Sequence, residues 1–277
     1  MTFKTLLVAV DDSVDSDARV SLACDLATGM NAHLIGVCGV ALDALPIHDP
    51  YTGGPLLGEA FTVLRDLAQN ELRASQKRFK ERVEARRDRT DWRGRLDYPA
   101  SVVIQEARAA DLLVLGRRSS RSPGRAVDPA DVLISIGRPL LIVPPYPERE
   151  PVGWPAVIAW KDCREAQCAV AAALPLLHHA SEIHVVEICE PEAQEAARER
   201  VADVVAWLAR HQLPAQPHVI GPGSVSTSND ILSFSADRKA GLIVAGGYGH
   251  SRLREWALGG VTRDLLNDAP ICVLFSH

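Results

Sequence analysis

The stretch that decides the fold is residues 5–13, T-L-L-V-A-V-D-D-S. Its apolar run is ended by two aspartates and followed by Ser13, a residue type that often caps helices. This pattern is typical of a buried parallel strand that leads into a helix. Residues 156–163, A-V-I-A-W-K-D-C, have the same form. The sequence therefore predicts two copies of one strand–turn–helix unit in a single chain.

Further segments repeat in the same order, each a predicted helix or strand. The corresponding segments of the two halves are residues 15–29 and 164–179, 33–37 and 182–186, 111–116 and 241–246, and 137–143 and 268–274. Strands that alternate with helices imply a parallel sheet with right-handed crossovers. We therefore expect an α/β protein made of two tandem Rossmann-like domains, each an open parallel sheet with helices on both faces.

The boundary between the halves lies in a Pro-rich, charged linker at residues 144–151. We place one domain at residues 1–145 and the other at residues 152–277. The first half contains an insertion, in which residues 46–58 are predicted to form a loop. A long charged helix is predicted to follow, from residue 59 to about residue 89.

Composition excludes several classes of protein. Of the 277 residues, 47% are hydrophobic and 23% are charged, as in ordinary globular proteins. No apolar stretch approaches the ~18–20 residues of a membrane span, and the N-terminus lacks the pattern of a signal peptide. The net charge of −5 disfavours nucleic acid as a partner. The six cysteines lack paired spacing, so we expect free thiols in a cytoplasmic protein.

The clearest candidate for a ligand site is residues 246–262, G-G-Y-G-H-S-R-L-R-E-W-A-L-G-G-V-T. This segment follows a predicted strand and leads into a predicted helix at residues 261–267. Glycines allow close approach of the backbone to a phosphate, and the N–H groups of a helix N-terminus bind anions. A flexible turn with a helix cap is the alternative interpretation, and spacing alone does not decide between the two.

These residues make the chain resemble a tandem universal stress protein, with two such domains in one chain. Nucleotide-binding members of that family have G-x2-G-x9-G-[S/T], which Gly246, Gly249 and Gly259 match. The opening V-A-V-D-D-S at residues 8–13 is similar to the family's V-A-x-D-G-S. The resemblance implies a five-stranded parallel sheet in each half and a pseudo-dimer in which the two last strands pair within the chain.

The resemblance also implies an adenine nucleotide, most simply ATP, in the C-terminal half, with Mg²⁺ only if ATP is bound. Lys161 stands where the family has a ribose-binding Asp, and Ile188 lies near the position whose backbone contacts adenine. Gly260 replaces the family's Ser or Thr. The full set of candidate nucleotide-binding residues is Gly246, Gly249, His250, Ser251, Arg252, Gly259, Gly260, Val261, Thr262, Lys161 and Ile188.

The N-terminal half departs from the same pattern at its glycine loop. It keeps Asp11, but Ser119 replaces the second glycine, and Asp128 and Pro129 replace the Gly-Ser/Thr pair. A carboxylate repels phosphate, and a proline removes an N–H donor. We therefore expect that this half does not bind a triphosphate in the family manner.

Three functions stay open at this point. The first is a stress-response regulatory protein that binds a nucleotide. The second is a scaffold that binds a partner protein and no nucleotide, and the third is a slow ATP hydrolase that would use Asp162 and Glu255. A homodimer and an unidentified protein partner are also open. For Cys163 we expect packing or helix capping, with a reactive thiol as the alternative.

Overall fold

In a computed structural model of the chain, the described residues are 2–42, 54–117, 127–248 and 260–277. The strands are β1 (Thr5–Ala9), β2 (His33–Gly39), β3 (Thr90–Arg95), β4 (Leu112–Gly116), β5 (Leu140–Val143), β6 (Ala156–Ala159), β7 (Ile183–Ile188), β8 (Gln216–Ile220), β9 (Leu242–Gly246) and β10 (Cys272–Ser276). The helices are α1 (Val14–Gly29), α2 (Gly54–Arg82), α3 (Pro99–Glu106), α4 (Pro129–Ser135), α5 (Arg164–Leu177), α6 (Gln194–Arg210), α7 (Thr227–Asp237) and α8 (Gly260–Asp268).

All of these strands belong to one continuous sheet, in the order β3-β2-β1-β4-β5-β10-β9-β6-β7-β8. The strands within each half are parallel. The two halves meet where β5 and β10 pair in the antiparallel sense, with Ile142 opposite Val273. The predicted fold class is therefore confirmed, and the last strands pair as the resemblance implied.

Helices cover both faces of the sheet, because the apolar residues of alternate strand positions face opposite sides. One core cluster contains side chains of α1, α2, α5 and α6, and the other contains side chains of α3, α4, α7 and α8. Representative buried residues are Val20, Phe79, Ala169 and Val201 on one face and Val102, Val132, Ile231 and Leu265 on the other. Each face is therefore packed across both halves of the chain.

The helix of the insertion differs from its predicted bounds. It begins at Gly54 and ends at Arg82, and residues 84–89 form 3₁₀ turns. Its start was missed because Gly54 and Pro55 suggested a loop, although proline fits the first turn of a helix. Near its end, Arg86 donates a hydrogen bond of 2.8 Å to the carbonyl of Ala32 beyond α1, and its own backbone leaves the helical region. Residues 46–53 of the predicted loop lie outside the described residues.

Two smaller predictions are confirmed. The Ser13 hydroxyl accepts a hydrogen bond from the N–H of Ser16 and caps α1. All six cysteines fall within the described ranges, and all are free thiols. Among the helices that the structure describes, none combines the length and apolarity that a membrane span requires.

Candidate functional site

The carboxyl ends of β6, β7 and β9 bring several predicted site residues to one edge of the sheet. Ala159 of β6 lies opposite Ala245 of β9 on one side and Val186 of β7 on the other. Two residues further along, Lys161 is level with the start of the glycine turn and with Ile188. The connections from β6 and β9 run in opposite directions along the sheet, which makes this crevice the switch point where open α/β sheets bind ligands.

Lys161 is exposed at this edge. No carboxylate of the described residues lies within 4.0 Å of its ammonium group. Ile188 is half-buried at the end of β7, where it packs against the core. A basic residue and an apolar residue therefore occupy neighbouring strand ends at this edge of the sheet.

Gly246 and Gly247 lie where a larger side chain would contact neighbouring helices. A Cβ on Gly246 would lie 2.6 Å from the backbone nitrogen of Ala166, in the first turn of α5. A Cβ on Gly247 would lie 2.7 Å from the side chain of Leu133, which belongs to α4 of the other half. The glycine turn is thus held between a helix of its own half and a helix of the N-terminal half.

Tyr248 continues this turn and was not indicated by the sequence. Its φ is +46°, a left-handed conformation that non-glycine residues rarely adopt. Its hydroxyl is buried without a hydrogen-bond partner among the described residues. Burial and, to a smaller extent, the negative charges of Asp128 and Asp131 together raise the pKa of Tyr248 to about 12. The side chain therefore lies close to the start of α4 in the N-terminal half.

The start of α8 carries three more of the predicted residues. Gly260 is the first residue of the helix, and a Cβ there would meet no atom of the residues that the structure describes. Val261 packs against the core. Thr262 is 7% exposed, and its Oγ1 lies 3.5 Å from the N–H of Tyr248. Thr262 therefore supports the glycine turn from behind, and the first turn of α8 contains no acidic residue.

The other predicted residues of the loop lie outside the described residues: Gly249, His250, Ser251, Arg252 and Gly259. Of the two residues that a hydrolase would use, Asp162 is exposed beside Lys161, and Glu255 also lies outside the described residues. The Cys163 thiol makes no capping hydrogen bond at the start of α5. Burial raises the pKa of this thiol, which disfavours the alternative of a reactive thiolate.

The matching helix of the N-terminal half, α4, begins differently. Asp128 caps it, with Oδ1 accepting a hydrogen bond of 2.9 Å from the N–H of Ala130. Pro129 contributes no N–H, and Asp131 adds a second carboxylate in the first turn. The place that an anion would take at α4 is therefore held by a carboxylate of the chain itself.

Asp11, the counterpart of Lys161, is also engaged within the N-terminal half. Its Oδ2 lies 2.8 Å from the buried guanidinium of Arg19, and its Oδ1 accepts hydrogen bonds from the N–H and hydroxyl of Ser13. Burial raises the pKa of the Asp11 carboxyl, but Arg19 and Ser13 together outweigh this effect and hold the pKa below its usual value. Arg19 also lies against Gly116, the first glycine of this half's loop, so the guanidinium fills the crevice.

Two further features of the described residues bear on ligand binding. A charged cleft of about 530 Å³ lies between α1 and α2, but two of its arginines, Arg78 and Arg82, already pair with Asp17. In the residues that the structure describes, no three His, Cys, Asp or Glu side chains are grouped as metal ligands.

The architecture defines a class: two Rossmann-like α/β domains joined through their last strands, with a glycine turn after the fourth strand of the C-terminal domain. Residues 2–130 match the model of the universal stress protein family. The N-terminal half therefore carries a universal stress protein domain, and the C-terminal half repeats its fold. No curated protein matches the sequence.

Solved structures share the fold over nearly the whole chain. A universal stress protein from Archaeoglobus fulgidus DSM 4304 is 13% identical, with a TM-score of 0.72 over 98% of this chain and 97% of that one. A functionally unknown protein from Pseudomonas aeruginosa PAO1 is 16% identical, with a TM-score of 0.59 over 98% and 92%. Both likenesses show that the two-domain arrangement recurs in other proteins.

Proposed function

We propose that the protein is a stress-response regulatory protein whose C-terminal half binds an adenine nucleotide, ATP in the first instance. Mg²⁺ would accompany ATP. The observation that carries this proposal is the difference between α4 and α8. The start of α4 is held by Asp128, whereas the first turn of α8 has no acidic residue and begins at Gly260, where a Cβ would meet no atom of the described residues.

The residues proposed to contact the nucleotide divide between two sides of the crevice. Lys161 and Ile188 lie at the ends of β6 and β7, and Gly246 lies at the end of β9. The start of α8 would receive the phosphates, because the N–H groups of a helix N-terminus attract anions. The remaining residues of the proposed site are Gly249, His250, Ser251, Arg252, Gly259, Val261 and Thr262.

A regulatory role requires that the nucleotide bind one state of the protein more tightly than another. The glycine turn packs on Leu133 of α4 and lies near Asp128. A nucleotide that moves this turn would therefore alter the packing between the halves. That change is the means by which binding would affect a partner protein.

The test is isothermal titration calorimetry, in which Mg·ATP is titrated into the whole chain and into the variant Gly260→Asp. An aspartate at the first helical position stabilises α8 but repels phosphate. We expect Gly260→Asp to bind at least about tenfold more weakly, the effect of ~1.4 kcal/mol. Gly137→Asp is the matched control, since its Cβ also meets open space and it adds the same charge elsewhere. Equal binding by both variants would place the nucleotide elsewhere.

A scaffold that binds no nucleotide is the second candidate, and one observation favours it. The first turn of α5 packs directly on Gly246, which narrows the crevice beside that residue. A scaffold predicts no heat of binding and no rise in the melting temperature at millimolar Mg·ATP. A rise in the melting temperature that Gly260→Asp abolishes would exclude it.

A further inference from the structure

Resting on the proposed function, we propose that the C-terminal site selects adenine nucleotides with a second phosphate on the ribose 2′ or 3′ oxygen. The residue on which this proposal rests is Lys161. It extends from the turn after β6, level with Ile188 on one side and with the glycine turn on the other. A nucleotide in the crevice would place its ribose between these elements, with its 5′ phosphate toward α8.

The chemistry of Lys161 sets this preference. A lysine has three N–H donors and no acceptor, so it cannot receive hydrogen bonds from ribose hydroxyls as a carboxylate does. In dinucleotide sites of open α/β sheets, an acidic residue holds the free ribose hydroxyls, and a basic residue accommodates a ribose phosphate. Asp11 in the N-terminal half corresponds to Lys161 in the C-terminal half. The two halves therefore differ by the same replacement of an acidic residue by a basic one.

The surroundings leave the Lys161 charge available. Among the described residues, no carboxylate lies within 4.0 Å of its ammonium group. The nearest acidic residue of β7, Glu187, is paired with Arg200. In the N-terminal half the corresponding charge, on Asp11, is neutralised by Arg19 at 2.8 Å. Among the described residues, Lys161 therefore has no ion-pair partner.

The start of α8 is the second anion-attracting feature, and it adjoins the glycine turn, where Thr262 Oγ1 lies 3.5 Å from the backbone nitrogen of Tyr248. Adjacent strands of a sheet are about 4.8 Å apart, so β6 and β9 hold Lys161 and the glycine turn within the span of one nucleotide. A ligand with a phosphate at each end of its ribose would contact both features at once. A nucleotide with all its phosphates on the 5′ oxygen would offer Lys161 only uncharged ribose oxygens as acceptors.

The test compares isomers by isothermal titration without Mg²⁺: ADP, adenosine 3′,5′-bisphosphate and adenosine 2′,5′-bisphosphate. All three carry two phosphates, and the Lys161 variants separate the effect of the position of the second phosphate from that of the larger negative charge of the bisphosphates. We expect one bisphosphate to bind about tenfold more tightly than ADP, the effect of one charge-assisted hydrogen bond. Lys161→Asp reverses the order, and Lys161→Gln removes the difference.

Lys239→Asp is the matched control, because Lys239 is an exposed lysine that precedes β9 at the opposite edge of the sheet. It should keep the wild-type order of the three ligands. If ADP binds as tightly as both isomers, or if Lys161→Asp leaves the order unchanged, the preference for ribose phosphate is wrong while the nucleotide site stands. If none of ATP, ADP and the two isomers binds, both the proposed function and the preference for ribose phosphate are wrong.

Discussion

The turns that follow β1 and β6 occupy equivalent places but are held in different ways. The N-terminal turn contains Asp11, Ser13, Ser16 and Arg19, and the corresponding residues of the C-terminal turn are Lys161, Cys163, Ala166 and Ala169. In the first turn, Ser16 accepts from the N–H of Asp11 at 3.1 Å, and Arg19 donates to the carbonyl of Ala9 at 2.7 Å. The alanines of the second turn cannot form these bonds.

This comparison shows how a turn can be stabilised at the expense of binding. The polar side chains of the N-terminal turn satisfy one another and fill the space beside Gly116. In the C-terminal turn, small side chains let α5 approach Gly246 and leave Lys161 in solvent. The turn with fewer internal hydrogen bonds is therefore the one with groups left to contact a ligand.

The largest expected effect comes from replacing the first glycine of each half's glycine loop, Gly246 or Gly116, by alanine. Gly246→Ala brings a Cβ against the backbone of α5, which cannot move without shifting the helix, so we expect a loss of about 3 kcal/mol in the free energy of unfolding. Gly116→Ala meets only the end of the Arg19 side chain, and we expect about 1 kcal/mol. Urea denaturation measures both, and equal losses would contradict the different packing of the halves.

A smaller effect is expected from Asp11→Asn, which leaves the buried guanidinium of Arg19 without its counter-ion. Because 42% of the Asp11 side chain is exposed, solvent screens the pair, and we expect a loss of about 2 kcal/mol at pH 7. The control is Lys161→Gln, which should change stability by less than about 0.5 kcal/mol, since Lys161 is exposed.

The Asp11 contribution should also depend on pH. The pKa of Asp11 is lowered in the folded protein from its ordinary value of 3.8, so the unfolded chain binds the proton more readily. Its stabilisation is fully present above pH 3.8 and is lost as the pH falls through the folded pKa. The difference between wild type and Asp11→Asn should therefore shrink in urea titrations below pH 3.8. A difference that stays constant into strong acid would argue against the ion pair.

The smallest effect concerns the helix caps. Asp128→Ala removes the carboxylate that accepts from Ala130 and should lower the free energy of unfolding by about 1 kcal/mol. Asp128→Asn keeps a capping oxygen and should recover most of that loss. Thermal unfolding of both variants measures the difference. If Asp128→Ala were as stable as the wild type, the carboxylate would not be holding the start of α4.

The sequence was sufficient to locate the buried strands but not the exposed edge strands. Continuous apolar runs marked β1, β4, β6 and β9, because parallel strands covered on both faces must be apolar throughout. The edge strands β3 and β8 were not located, since T-D-W-R-G-R and Q-P-H-V-I mix charged and apolar residues. An edge strand has solvent on one side, and its sequence is accordingly less regular.

The candidate site was predicted in part for a related reason. Glycine spacing indicated the turn after β9, and the chemistry of Asp128 indicated repulsion of phosphate. The ion pair of Asp11 with Arg19 could not be inferred from the sequence. The two residues are eight positions apart, and they meet only because of the direction that α1 takes after Asp11. Tyr248 was missed for the same reason, since its neighbours, Asp128 and Asp131, belong to the other half of the chain.

The antiparallel pairing of β5 with β10 has a consequence for how the two halves can vary. In a symmetric dimer of identical chains, every substitution occurs twice, so a change that closes one site closes both. Here the two partners of the pairing belong to one polypeptide, and a substitution occurs once. Their association is also independent of protein concentration, because the linker keeps them together. One half could therefore acquire Asp128 and Arg19 while the other kept Gly260, with no loss of the shared sheet.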